Sequence, residues 1–340
     1  MDGSGTVLVT GGSGYIGGWC VIALLQRGYV VRTTVRDLAR EPAARAAIAK
    51  IVDPGNRLSF HVVNLTADEG WDEAVAGCDY VLHVASPLGV TEPKDPNELI
   101  APAREGALRA IRAAIKAGVK RVVMTSSVAA TNRPEPGDWT ADETAWTDGD
   151  DAKVGAYGRS KTLAERAAWD LIKTQTATTL AVVNPALVLG PVTSGDFSES
   201  VQVVERLLTG RVPGLPRLGF NVVDVRDVAD LHIRAMTAPE AAGERFIAAA
   251  HYAWMTELAD LLRQRLDAAH AANVPTRKVP DFVVRIVGLF DKDLGSVTPG
   301  LNRRHDFSSA KAQQKLGWTP RPLADTILDC ANSLIAEGIA

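Results

Sequence analysis

Short apolar runs and longer helical patterns alternate through the first half of the chain. Thr6–Thr10, Val30–Val35, Leu58–Val63, Tyr80–Val84 and Arg121–Thr125 are β-branched and mostly apolar, as strands buried on both faces are. Between them, Tyr15–Arg27, Pro42–Lys50, Trp71–Val75 and Glu98–Lys116 carry helical spacing. A sixth strand is predicted at Leu180–Val183. Alternation of this kind implies βαβ units, hence an α/β fold: a Rossmann-type doubly wound parallel sheet with helices on both faces. Beyond Pro185 the pattern loosens, as Pro191, Pro213, Pro216, Pro239, Pro275 and Pro280 break the chain into short pieces. The expected division is a dinucleotide-binding domain over residues 1–185, with a return near 222–235, and a smaller C-terminal substrate lobe over 186–340.

Composition narrows the partners. A chain of 340 residues with 46% hydrophobic positions can bury a sizeable core. A formal net charge of -3 gives no electrostatic case for nucleic acid. Cys20, Cys78 and Cys330 are far apart, odd in number and lack metal spacing, so buried thiols are expected. His61, His83, His232, His251, His270 and His305 are equally scattered, and no metal is expected. The start is short and acidic and leads straight into a strand, unlike a signal peptide. No apolar run is long enough to span a bilayer, so the default expectation is a cytoplasmic protein with no membrane partner.

The first candidate site follows the first strand. Gly11-Gly12-Ser13-Gly14-Tyr15-Ile16-Gly17 fits Gly-x-x-Gly-x-x-Gly from Gly11 and Gly-x-Gly-x-x-Gly from Gly12. Such a turn lets the backbone approach a pyrophosphate, and the helix N-terminus behind it favours negative charge. Strand before and helix after are the context that makes the motif informative. At the end of the second strand stands Val35-Arg36-Asp37. Arginine suits a ribose 2′-phosphate, so Arg36 points to NADPH, with Arg40 near; Asp37 is a competing signal for a ribose hydroxyl.

The second candidate site is a hydroxyl, a phenol and an amine. Ser126-Ser127 closes the fifth strand, at the carboxyl end where such sheets bind ligands. Tyr157 precedes Lys161 by four residues, which places both on one helix face. In these roles Ser127, with Ser126 as its rival, polarises a carbonyl. Tyr157 gives the oxygen a proton, and Lys161 lowers the tyrosine pKa and holds the nicotinamide ribose. With the glycine turn, this implies a nicotinamide-dependent carbonyl reductase acting on a small molecule.

The chain resembles the extended short-chain dehydrogenases/reductases, and among them the dihydroflavonol reductase family with its microbial aldehyde and ketone reductases. The likeness is carried by Thr10–Gly17, Thr34–Asp37, His83-Val84-Ala85-Ser86-Pro87, Lys94-Asp95-Pro96, Thr125–Ser127, Tyr157 to Lys161, Asn184–Pro191, and Leu316-Gly317-Trp318 with Pro320. It implies NADPH as cofactor, with Arg36 on the 2′-phosphate and Ala85 and Ser86 along the ribose and nicotinamide. Pro185, Leu187 and Val188 would flank the nicotinamide ring. It also implies substrate contacts from Pro87, Leu88 and Asn132, although Asn132 reads equally well as a turn residue. Phe220 and Trp254 lie in the second lobe, where they could shape the pocket.

Two departures stand out. Asn64-Leu65 replaces the acidic residue that often meets the adenine amine, though an amide oxygen can still accept that bond. Gly18 stands where relatives often carry serine. As an NADPH-dependent reductase the protein is expected to act on ketones or aldehydes, bulky or aromatic ones above all. An NAD-linked epimerase or hydroxysteroid-type dehydrogenase, or a non-catalytic dinucleotide sensor, is the alternative. A homodimer through the sheet-domain helices is open.

Overall fold

The computed structural model describes residues 4–87, 93–132, 137–195, 197–290, 295 and 298–340. The first half runs β1 (Thr6–Thr10), α1 (Tyr15–Gln26), β2 (Val30–Val35), α2 (Glu41–Ala49), β3 (Leu58–Val62), α3 (Trp71–Val75), β4 (Tyr80–His83), α4 (Asn97–Lys116) and β5 (Arg121–Thr125). There follow β6 (Trp139–Ala141), α5 (Ala156–Ile172), β7 (Thr179–Pro185), β8 (Leu187–Leu189), α6 (Gln202–Leu208), β9 (Gly219–Asp224), α7 (Val225–Thr237), β10 (Arg245–Ala248) and β11 (His251–Trp254). The chain closes with α8 (Met255–Arg265), α9 (Ala268–Ala271), α10 (Asp281–Val287), β12 (His305–Phe307), α11 (Ala310–Leu316) and α12 (Leu323–Ala336).

Seven strands form one parallel sheet in the order β3-β2-β1-β4-β5-β7-β10. Its order reverses between β1 and β4, which opens a crevice at the carboxyl ends of those two strands. Alternate residues feed opposite faces. Val7 and Val9 join α1 and α7 residues such as Leu24 and Leu231. Leu8 joins α4 and α5 residues such as Ile111 and Ala168. Alanines line the α4–α5 contact, at Ala103, Ala107, Ala110, Ala164 and Ala168, so these helices can lie close together.

The C-terminal lobe has its own cluster, with Leu207, Leu258, Leu262, Ile327 and Leu334 at its centre. Around it sits a three-stranded sheet, β8-β9-β11. These strands are only three to six residues long, too short to stand out by periodicity among the prolines. A parallel pair, β6–β12, ties the chain beyond β5 to the C-terminal lobe. Trp139 stacks on His305 at 4.5 Å, and Asn221 Nδ2 donates to the His305 carbonyl at 2.6 Å.

Elements downstream of β9 also return to the main sheet: α7 packs on α1, and β10 extends the edge beyond β7. The charged group at the start of α7 fixes this return. Asp224 accepts from the Arg226 backbone N–H at 2.8 Å and caps the helix, and Arg226 pairs with Asp224 and Asp329 at 2.7 Å each. Trp318, fully buried, donates to the Asp227 carbonyl at 2.9 Å just past the left-handed Gly317 that ends α11.

Phe246 on β10 is completely buried in the core between sheet and α7. Phe246→Ala should lower unfolding stability by about 3–5 kcal/mol, read as a lower urea midpoint with unchanged slope.

Candidate active site

The glycine turn has almost no room for side chains. Gly11 has φ +72, in the left-handed region that favours glycine. A Cβ on Gly17 would lie 2.2 Å from the Gly11 carbonyl oxygen, and one on Gly12 would lie 2.0 Å from Thr33 Oγ1. Gly14 donates its N–H to the Gly11 carbonyl at 2.9 Å and stands at the N-cap of α1, with no side chain capping the helix. The first turn of α1 therefore offers backbone N–H groups to an anion. The side chains of Tyr15 and Ile16 are engaged elsewhere: the Tyr15 hydroxyl donates to the Gly190 carbonyl at 2.8 Å, and Ile16 packs on the core.

Thr10 stitches the crevice floor. Its Oγ1 accepts from the N–H groups of Val84 and Ala85 at 3.0 and 2.9 Å, and its hydroxyl lies 3.0 Å from His83 Nδ1. Burial, with Lys161 nearby, pushes the His83 pKa down to about 4, so the ring is neutral and its Nδ1 accepts from Thr10. Ala85 abuts Gly11, where a Cβ would come within 3.1 Å of it. Ser86 and Pro87 follow, half-buried, while Leu88 lies outside the described residues.

At the end of β2, Arg36 is exposed, and Asp37 is engaged in its own turn, accepting from the Ala39 N–H at 2.9 Å. A cavity of about 320 Å³ opens beside the glycine turn, between Gly12–Tyr15, α2 and Thr193, with Arg40 in its wall. Asn64 is exposed, and its amide oxygen accepts from the N–H and hydroxyl of Thr66 at 3.0 and 2.9 Å. That oxygen is committed to a local turn. Leu65 packs against Gly106 of α4. A glycine cradle without room for a Cβ, an uncapped helix and an exposed arginine beyond β2 fit a nicotinamide dinucleotide.

The candidate serine, tyrosine and lysine stand on the far wall. Ser127 follows β5; its Oγ accepts from the Ala129 N–H at 3.1 Å, and it stands near enough to the Tyr157 phenol to act on that group's pKa. Ser126 Oγ is buried without a hydrogen bond among the described residues, so Ser127 is the serine presented to Tyr157. Lys161 is buried beneath, its Nζ 5.7 Å from the Tyr157 ring centre.

The electrostatics differ from the expectation in one respect. Tyr157 was expected to be drawn down by Lys161. Instead burial dominates and pushes the phenol pKa up, with the nearby Ser127 side chain opposing and the Glu199 carboxylate reinforcing the rise. Tyr157 is open to the crevice over 39% of its surface, yet protein crowds it closely enough for desolvation to win. The same burial pushes Lys161 down to about 8, against the opposing pull of Glu165. Glu199, on the exposed turn before α6, is a neighbour of Tyr157 that no sequence motif signalled.

Of the remaining candidates, Pro185 ends β7 and is buried, and Leu187 packs towards the C-terminal lobe. Val188 turns into the main core. Asn132 is exposed, its loop anchored by its own N–H on Thr147 Oγ1 at 2.9 Å. Phe220 packs half-buried in the C-terminal lobe. Among the described residues, no group of His, Cys, Asp and Glu could hold a metal ion, the three cysteines are free and buried, and no helix is long and apolar enough to cross a membrane.

A dinucleotide crevice with serine, tyrosine and lysine on its wall defines an oxidoreductase of the extended short-chain dehydrogenase/reductase type. The chain belongs to the NAD dependent epimerase/dehydratase family, whose profile matches residues 7–249. It is 39% identical to cinnamoyl-CoA reductase CAD2 of Medicago truncatula, over 76% of this chain and 80% of that one. It is 37% identical to dihydroflavonol 4-reductase of Zea mays, over 93% of this chain and 84% of the relative. Among solved structures, yeast methylglyoxal/isovaleraldehyde reductase Gre2 complexed with NADPH superposes with a TM-score of 0.81 at 26% identity, covering 98% of this chain and 100% of that chain.

Gly17→Ala tests the cradle. Its Cβ would overlap the Gly11 carbonyl, so fluorescence titration should show dinucleotide affinity at least tenfold weaker, with lower thermal stability.

Proposed function

We propose that the protein reduces a ketone or aldehyde carbonyl to an alcohol with NADPH, and that Ser127, Tyr157 and Lys161 are its catalytic residues. The observation that carries this reading is the grouping of Ser127 beside Tyr157, above a buried Lys161 whose Nζ lies 5.7 Å from the phenol ring centre, on the wall of the dinucleotide crevice. NADPH, when bound, supplies the hydride. Ser127 donates a hydrogen bond to the carbonyl oxygen and orients it. Tyr157 transfers its phenolic proton to that oxygen as negative charge develops on it. Lys161 offers its ammonium to the ribose and to the phenolate that remains. A phenol pKa raised by burial keeps Tyr157 protonated at neutral pH, which suits the reductive direction.

Arg36 supports NADPH over NADH, because Asp37 is occupied by its own turn while the guanidinium is exposed at the strand end. The likeness to Gre2 complexed with NADPH points the same way. Similarity to cinnamoyl-CoA and dihydroflavonol reductases favours bulky or aromatic carbonyl compounds.

The deciding experiment is NADPH and NADH oxidation by the purified protein against aryl ketones, aldehydes, β-keto esters and a dihydroflavonol. NADPH-dependent turnover of several members is expected. Failure with all of them, alongside interconversion of a sugar nucleotide with NAD, would replace this reading with the epimerase one. Tyr157→Phe should lower kcat at least a hundredfold with cofactor affinity retained.

Two finer expectations follow from the charges. Arg36→Ala should weaken NADPH binding about tenfold and leave NADH binding unchanged, because it removes a charge-assisted bond to the 2′-phosphate alone. Lys161 is protonated below its pKa of about 8 and loses its charge as pH rises through it. Reductive kcat/KM in the free enzyme should therefore be level near neutrality and decline above about pH 8.

A further inference from the structure

Directly behind the catalytic pair lies a buried ion pair that the reaction as described does not use. Tyr157, Lys161 and Glu165 are spaced four residues apart on α5 and so share one face. Glu165 and Asn184 are wholly buried, and Arg245 nearly so. Glu165 Oε1 accepts from Arg245 Nε at 2.5 Å and from Trp169 Nε1 at 3.3 Å. Its Oε2 accepts from Asn184 Nδ2 at 2.9 Å and from Arg245 Nη2 at 3.3 Å. The same Asn184 amide donates to the Ser127 carbonyl oxygen at 3.1 Å. Arg245 Nη1 reaches the carbonyls of Glu143 and Ala145 at 2.9 Å each, and its guanidinium lies 3.7 Å from the Trp146 ring centre.

We propose that Glu165 is a positioning residue of the reaction: clamped by Arg245, it holds the Ser127 backbone through Asn184 and supplies a buried counter-charge to the Lys161 ammonium one helical turn away. Buried ion pairs are seldom a net gain in stability over apolar residues, so a role beyond stability fits this one. One carboxylate joins α5, β7 and β10 to the residue that carries the reacting hydroxyl. Among the described residues, charged and titratable groups face this cluster from several elements, and Arg166 of α5 lies over the same Trp146 ring as Arg245. Tyr157 and Lys161 lie on the same helix, His83 faces Lys161 from β4 as a neutral ring, and Glu199 faces Tyr157 from the turn before α6. Arg245 on β10 is bound to Glu165 itself, and Glu143 bonds the Ile247 N–H at 2.9 Å.

The sign of the effect follows from charge. A carboxylate favours the charged form of a neighbouring amine, and burial opposes it. Removing the carboxylate leaves burial unopposed, so Lys161 should lose its proton at lower pH. This rests on the reductase reading for its kinetic form alone. The test compares wild type, Glu165→Gln, Glu165→Asp and the double variant Glu165→Gln/Arg245→Met, which removes the pair without stranding a buried charge. Two pH profiles are measured: reductive kcat/KM, and NADPH affinity by fluorescence.

In Glu165→Gln and in the double variant, the basic limb of both profiles should move to lower pH. Each unit of displacement costs about tenfold in rate on that limb. Glu165→Asp should return the limb towards the wild-type position. Asn184→Leu should lower kcat severalfold while the limb stays in place, because it cuts the tie to Ser127 and keeps the ion pair. Folded variants whose limb coincides with wild type would overturn the counter-charge role. Full kcat in Asn184→Leu would overturn the tie to Ser127, and this arm stands even where the Glu165 variants fail to fold. The NADPH profile needs no turnover, so a wild type that reduces no carbonyl would count against the reductase reading and not against Glu165.

Discussion

Because strand order reverses between β1 and β4, the connections from these two neighbouring strands leave the sheet in opposite directions and leave a crevice at their carboxyl ends. The rest of the site depends on keeping that crevice narrow. Thr10 binds β1 to the chain leaving β4, and Gly11 lies against Ala85 with no side chain between them. A larger residue at Gly12 would push on Thr33 of β2 and Val21 of α1, one at Gly17 would push on the turn itself at the Gly11 carbonyl, and one at Gly11 would push on Ala85 across the crevice. The cradle is thus a packing constraint before it is a binding site. The uncapped start of α1, which the same close packing fixes in place, is the feature that would favour an anion there.

The opposite wall is built from the other face of the sheet. There α5 lies against α4 through alanines, close enough to bury Lys161 and Glu165 on its inner side while Tyr157 opens to the crevice. The chain beyond β5 presents Ser127 to Tyr157 and is then tied to the C-terminal lobe through β6–β12. Asn221 and the Trp139–His305 stack anchor that tie. A substrate held between the lobes would meet a hydroxyl whose position is set from both of them.

Most of the sheet was legible in the sequence because a parallel strand buried on both faces is an apolar run that little else imitates at that length. β1 to β5 lie where the runs at Thr6, Val30, Leu58, Tyr80 and Arg121 place them, and the predicted strand at Leu180–Val183 extends to Thr179–Pro185. The seven-stranded order is that of the expected Rossmann-type fold. The short strands of the C-terminal lobe were not legible, because three or four residues carry no period. At the site, the Tyr157–Lys161 spacing is informative only together with the glycine turn and the serine pair, and the sequence leaves Ser126 and Ser127 as rivals. Glu165 and Arg245 were not legible: they are eighty residues apart and meet only because β10 lies beside β7. Glu165 left one trace, its place four residues beyond Lys161, but a glutamate there on a helix is usually a solvated one.

Burial is the influence that these groups share, and it acts on each of them in the direction of the uncharged form. It raises the Tyr157 phenol, lowers Lys161 to about 8 and lowers His83 to about 4. A lysine under a tyrosine is commonly read as a device for making phenolate. In this site the phenol stays protonated, and the lysine is held close to losing its own proton. Such an arrangement favours giving a proton over taking one near neutral pH, the requirement of carbonyl reduction, and it makes the charge on Lys161 sensitive to whatever stands behind it. The carboxylate best placed to keep that charge is Glu165. It shares a helix face with Lys161, is clamped by an arginine from the edge strand and is tied through Asn184 to the serine. The orientation of the hydroxyl and the charge of the amine thereby depend on one buried group, although the two side chains come from elements more than thirty residues apart in the sequence.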